Sequence, residues 1–139
     1  MPENPKILLV EDNQDDEDLA LLAIEASGVL CDVVVARDGA EALELLFGQS
    51  KPPRLVILDL KMPKLSGLEV LEAMRKNPRT KYVPVVVLTS SAEERDLADA
   101  YAFGASSYIR KPIDLEDFNR VMAGICSYWL LWNENAPIT

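Results

Sequence analysis

Five short apolar runs punctuate the chain, each closed by a polar or charged residue, and stretches of helical spacing separate them. The first, Lys6-Ile7-Leu8-Leu9-Val10, ends in Glu11-Asp12 and leads into residues 13–27, where Leu19, Leu22, Ala23 and Ala26 predict the buried face of a helix. Asp15, Asp16, Glu17 and Asp18 fall in its first turns, where negative charge complements the amide end of the helix dipole. Gly28 is a suitable stop, and residues 31–36 read as a second strand. Asp38 then serves as the expected N-cap of a helix with Ala42, Leu43, Leu46 and Phe47 inward. After a loop with two prolines comes Leu55-Val56-Ile57-Leu58, a strand apolar on both faces that ends on Asp59, just before Leu60-Lys61-Met62-Pro63. A third helix buries Leu68, Leu71 and Met74 and ends near Asn77-Pro78. Residues 84–89 give a fourth strand, 93–103 a helix stopped by Gly104, and Ser107-Tyr108-Ile109-Arg110 a fifth strand before Lys111-Pro112. From Asp114 a last helix turns Leu115, Phe118, Val121, Met122 and Ile125 inward.

Strands and helices thus alternate five times, and the strands are too apolar to leave one face in water. Helices must cover both faces of a parallel sheet, so the fold class is α/β, doubly wound. Right-handed crossovers and short connections leave few topologies, of which the flavodoxin-like order 2-1-3-4-5 is the usual five-stranded one. Such sheets place their sites at the carboxyl ends of the strands, and there this sequence keeps Glu11, Asp12, Asp59, Thr89 and Lys111.

Composition narrows the picture. At 139 residues the chain fits one domain able to bury a core without metal or disulfide support. A net charge of −9 argues against a nucleic-acid surface, which needs a basic face. There is no basic leader followed by an apolar segment and no apolar run of roughly 20 residues, so no membrane association and a cytoplasmic location are expected. Cys31 and Cys126 have no CxxC spacing and read as small buried thiols.

Three carboxylates gathered without counter-charge would raise one another's pKa, and a hard divalent cation is the common remedy. Mg²⁺ fits oxygen ligands from Glu11, Asp12 and Asp59, with the backbone carbonyl of Lys61 placed to contribute. A carboxylate attacking phosphorus gives an acyl phosphate, with Asp59 the central candidate and Lys111 and Thr89 balancing charge on the transferred oxygens. Taken singly, each residue also fits a solvated loop acid, a cap or a surface charge. Their joint occurrence at one end of successive strands is what favours chemistry.

The set Val10-Glu11-Asp12-Asn13, Leu58-Asp59 with Met62-Pro63 and Gly67, Val87-Leu88-Thr89-Ser90 and Lys111-Pro112 resembles the receiver domain of two-component response regulators. The resemblance implies Asp59 as phosphoacceptor for a histidine kinase, Glu11 and Asp12 as the acidic Mg²⁺ pair, and Lys61 as carbonyl ligand. It also implies Thr89 and Tyr108 as switch hydroxyl and aromatic, with Thr89 moving toward the phosphoryl group and Tyr108 turning inward behind it. Lys111 becomes the phosphate-pairing lysine, joined to Pro112 by a cis bond. By the residues alone, Tyr108 is equally a half-buried strand aromatic.

The resemblance spans residues 6–125, after a lead of 1–5, and leaves 126–139 as an aromatic extension expected to continue the last helix. No effector domain follows, so a single-domain regulator is expected. Tyr128, Trp129 and Trp132 either pack against their own domain or form a homodimer seam, the preferred reading. Tyr128-Trp129-Leu130, the acidic run near Asp15-Asp16 and the 77–83 loop are similar to the small regulators that partner bacterial phytochrome kinases, which implies a phytochrome-type donor. Two other functions use the same residues: an aspartyl-phosphate phosphatase, for which no capping insertion is visible, and a phosphate sink or scaffold without switched output.

Overall fold

The computed structural model describes residues 3–48, 51–112 and 114–137. Five parallel strands, β1 (Lys6–Val10), β2 (Asp32–Ala36), β3 (Leu55–Leu58), β4 (Val85–Thr89) and β5 (Ser107–Arg110), lie in the order β2-β1-β3-β4-β5. The helices are α1 (Gln14–Ala26), α2 (Gly39–Gly48), α3 (Gly67–Lys76), α4 (Glu94–Ala102) and α5 (Leu115–Cys126), and α5 runs directly into a π-helical segment, Ser127–Trp132.

Alternation along the strands divides the interior in two, because successive side chains point to opposite faces. Ile7, Leu9, Leu55, Ile57, Val86 and Leu88 meet α1 and α5 on one face. Leu8, Val10, Val56, Leu58 and Val85 meet α2 and α3 on the other, where Val87 and Leu60 contact Ala100 of α4. Side-chain caps start most helices: Asn13 accepts from Asp16 N–H, Asp38 from Glu41 N–H, Asp114 from Glu116 N–H, and Ser66 with Glu69 forms a capping box.

The inward face of α1 differs from the expected one. Leu22 is 63% exposed and Leu19 40%, while Ala20, Ala23 and Ile24 are buried. Small residues let α1 approach α5 closely, so the larger leucines turn outward. Glu17 is buried beside them because Arg37 pairs with both its oxygens, at 3.1 and 3.2 Å. Phe47 and Leu115, also expected inside, are exposed. No described peptide bond is cis, so the bond expected before Pro112 is trans, the form preferred by about 0.5–1 kcal/mol even at proline. Both cysteines are free, and burial, eased slightly by Ser27, pushes the Cys126 thiol up to about 11. No described helix is long and apolar enough to cross a membrane.

Arg75 on α3 fixes the long loop before β4. Its guanidinium donates to the carbonyls of Thr80, Lys81 and Val83 and twice to Gly104, at 2.8–3.2 Å. Arg75→Ala strips a charged donor from four carbonyls and is expected to destabilise the protein by about 3 kcal/mol. Arg75→Lys should recover under half of this, since an ammonium cannot reach both carbonyl groups at once. Urea unfolding checks this: the midpoint falls while the slope stays constant, and a midpoint within error of the parent refutes it.

Candidate functional site

Strand register builds the site. Val10 stands opposite Leu58, and the ladder continues one residue further: Asp59 N–H donates to Val10 C=O at 3.1 Å and Lys111 N–H to Thr89 C=O at 2.8 Å. Glu11, Asp59, Thr89 and Lys111 are thereby held at one edge by backbone bonds. Beneath them the first residue of α3 is Gly67, whose N–H donates to Leu60 C=O at 3.0 Å. A Cβ there would overlap the carbonyl oxygen of Asp59, so only glycine lets α3 begin this close under the loop.

Asp59 is buried. Its Oδ1 accepts from Lys61 N–H at 3.3 Å and from the Thr89 hydroxyl at 3.0 Å, and its Oδ2 lies 3.4 Å from Lys111 Nζ. Lys111 Nζ also reaches Glu11 Oε1 at 2.8 Å and Asp16 Oδ2 at 3.3 Å. Asp16 is a member of this cluster that sequence reasoning assigned to helix start and to the acidic run but not to the site; the signal was its place in the first turn of the helix that follows the acidic loop. Burial alone would depress the Lys111 ammonium, but its bond to Glu11 and the fields of Asp59, Glu11 and Asp16 outweigh burial and raise its pKa.

Glu11 carries the opposite strain. Burial lifts its carboxyl from 4.5 to about 7, against the lowering effect of Lys111 and with Asp59 adding to the rise. Between these values the folded protein holds a proton that the unfolded chain releases, so stability falls as pH rises from 4.5 to about 7. The metal-free parent is therefore expected to lose stability relative to Glu11→Gln across that window, as read by thermal unfolding in EDTA. Parallel pH profiles for the two proteins would refute it.

Carboxylate oxygens of Glu11, Asp12 and Asp59 all lie within 4.8 Å of one another. Asp12 is exposed, and Lys111 pairs with Glu11, Asp16 and Asp59 but not with it. One ammonium against four acids leaves a surplus of negative charge on an all-oxygen donor set, which suits a hard divalent cation. Thr89 is fully buried, and Tyr108 sits half-buried against Leu60, Val87 and Ala100 with its hydroxyl donating to Ser91 C=O at 3.2 Å.

The expected aromatic seam divides. Trp129 packs against the α1–α5 core and Leu130 is buried, whereas Tyr128 is 53% and Trp132 75% exposed. The Tyr128 ring meets Trp129 edge-on, with centroids 4.9 Å apart.

The sequence matches the response regulator receiver domain over residues 7–123. It is 41% identical to the probable methanogenesis regulatory protein FilR2 of Methanothrix harundinacea, over 93% of this chain and 86% of that one. It is 37% identical to the response regulator Rcp1 of Synechocystis, over 89% of this chain and 88% of Rcp1. The Mn²⁺-bound form of Rcp1 superposes with a TM-score of 0.87 at 36% identity, over 96% of this chain and 99% of that one. The phosphorylated cyanobacterial phytochrome response regulator RcpA gives 0.90 at 36% identity, over 97% of this chain and all of RcpA. With five parallel strands in the receiver order, an acid-lined carboxyl edge and relatives matched over most of their length, the chain belongs to the response regulator receiver family, the phosphoacceptor modules of two-component signalling.

Proposed function

We propose that Asp59 accepts a phosphoryl group from the phosphohistidine of a histidine kinase, and that Glu11, Asp12, Asp59 and the Lys61 carbonyl hold a Mg²⁺ ion for the transfer. The observation that carries this reading is the convergence on buried Asp59 of a hydroxyl, an ammonium and two further acids. An oxygen of Asp59 forms the new bond to phosphorus while the phosphorus–nitrogen bond breaks, its electron pair returning to the imidazole ring. When bound, the metal neutralises charge on the acids and on the phosphoryl oxygens. Lys111 Nζ pairs with a phosphoryl oxygen, and the Thr89 hydroxyl turns from Asp59 Oδ1 to another. Attack of water on phosphorus later restores the carboxylate, so the protein's chemistry is confined to its own side chain.

Support for the cation is the oxygen donor set, together with Mn²⁺ binding by Rcp1. The likeness to RcpA over nearly the whole chain supports a phytochrome-type kinase as donor. Phosphorylation gives the Thr89 hydroxyl, now on Asp59 Oδ1, a new partner, and this differential interaction shifts the population between states. Incubation with Mg²⁺ and phosphoramidate should add the mass of one phosphoryl group, and EDTA should prevent the gain. No gain with Mg²⁺ would overturn the reading.

The surface of the π-helical segment supports a homodimer seam as part of this reading. Tyr128, Leu131 and Trp132 expose apolar area at its end, and Trp129 braces Tyr128 from behind. Replacing Leu131 and Trp132 together by Glu should weaken self-association by at least about tenfold. Light scattering over a dilution series reads this, and a monomeric parent at every concentration would refute the seam.

A further inference from the structure

The sheet edge opposite Asp59, where the strands begin, holds a cavity of about 890 Å³, large enough for a small organic ligand. Backbone bonds fix its floor. Lys6 opens β1 opposite Asp32 of β2, Arg54 N–H donates to Lys6 C=O at 2.8 Å, and Asp32 N–H donates to Pro5 C=O at 2.9 Å. Five of the chain's nine prolines, Pro5, Pro52, Pro53, Pro78 and Pro137, line the walls, and their rings hold the connecting backbone in one shape. Charge here runs against that of the chain. In a protein of net charge −9, the lining residues include Lys6, Lys51, Arg54 and Arg79 against two acids, Glu3 and Asp32. Both acids are engaged, Glu3 with Lys51 at 3.6 Å and Asp32 with the Asn4 amide at 3.5 Å.

Helix ends account for part of this charge, since their carbonyls favour cations. Arg54 serves in that way: its Nη2 donates to Asn133 C=O at 3.2 Å, just past the π-helical segment, and its own carbonyl accepts from the Asn135 amide at 3.0 Å. Its Nε is nevertheless buried with no hydrogen-bond partner, a rare state for a guanidinium N–H. The tail that closes one wall leaves the arginine beneath it incompletely satisfied. Tyr82, 57% exposed, adds an aromatic ring to the same cavity, with Lys81 Nζ 5.3 Å from its centroid.

We propose that this cavity is a nucleotide-binding site, with the phosphates on Lys6, Lys51, Arg54 and Arg79 and the base on the Tyr82 ring. The guanidinium fork suits phosphate oxygens, and an aromatic side chain offers a base a stacking face. Tyr82 and the proline rings form an apolar part of the wall that an inorganic anion would leave untouched, which favours a phosphate carrying a ring. The acids around Asp59 repel the same ligand, so the two edges of the sheet select opposite charges.

Titration of ADP into the full ¹⁵N-labelled chain, in EDTA and followed by amide NMR, tests the site without a metal at the acid edge. Saturable shifts are expected at Arg54, Tyr82 and Asn135, while the amides of Asp59 and Lys111 stay in place. Lys51 and Tyr82 are exposed, so replacing them spares the core. Lys51→Gln should weaken ADP by about threefold, as for an exposed ion pair. Tyr82→Ala should weaken ADP by about tenfold and leave pyrophosphate binding unchanged. Arg54→Lys, which keeps the charge and loses the fork, should weaken both ligands by about tenfold. Absence of saturable shifts at the strand-start edge with millimolar ADP would overturn the site. Pyrophosphate bound as tightly as ADP, or parental ADP affinity in Tyr82→Ala, would overturn the nucleotide assignment.

Discussion

Asp59→Asn is expected to abolish phosphoryl uptake: incubation with Mg²⁺ and phosphoramidate leaves the mass unchanged where the parent gains one phosphoryl group. A carboxamide oxygen is too poor a nucleophile to form the acyl phosphate, and the variant also removes one of the three acids that gather at the edge. The fold survives the change. The amide oxygen can still accept from Lys61 N–H and the Thr89 hydroxyl, and a buried acid in a cluster of acids is lost. Unfolding of the metal-free variant at pH 8 should therefore show parental or higher stability. Uptake at the parental rate would move the acceptor role to another acid, with Asp12 the first to test.

Lys111→Met is expected to have the second largest effect, on stability and chemistry together. Lys111 Nζ lies within 3.4 Å of Glu11, Asp16 and Asp59, and its side chain is 14% exposed. Removing it leaves buried carboxylates facing one another, which should cost about 3 kcal/mol in EDTA at pH 8. The sign of the pH dependence follows from Glu11. Its carboxyl already sits up at about 7 with the lysine present, and without that partner it moves higher, so acidification restores a neutral form. The destabilisation should shrink at pH 6; equal losses at pH 6 and pH 8 would contradict this. Loss of the phosphoryl partner should also slow uptake by about two orders of magnitude, as when a preorganised donor is removed from a developing charge. Lys111→Arg keeps the charge but not the compact head, and should restore stability better than rate.

Much of this architecture was legible in the sequence. The four apolar residues before Asp59 announce a strand buried on both faces, and a run such as Leu55–Leu58 can be little else at that length. Caps were legible where the signal is local, as at Asp38. The phase of α1 was not. Leu19 and Leu22 have the larger apolar side chains, yet Ala20 and Ile24 join the expected Ala23 at the core while Ala26 is exposed, because the distance between α1 and α5 is set by both helices at once. Asp16 escaped for the same kind of reason: its partner is 95 positions away.

By itself, then, the sequence determined the alternation of five strands with helices, the polar edge and the identity of the acid at its centre, since apolar runs and strand ends are encoded by neighbours along the chain. The tertiary structure alone decided that Lys111 serves three acids, that the Thr89 hydroxyl bonds Asp59 and the Tyr108 hydroxyl the Ser91 carbonyl, and that Trp129 packs against the core while Trp132 is exposed. Each of these depends on the distance between side chains from different elements, which the crossovers and helix packing fix and no local pattern records.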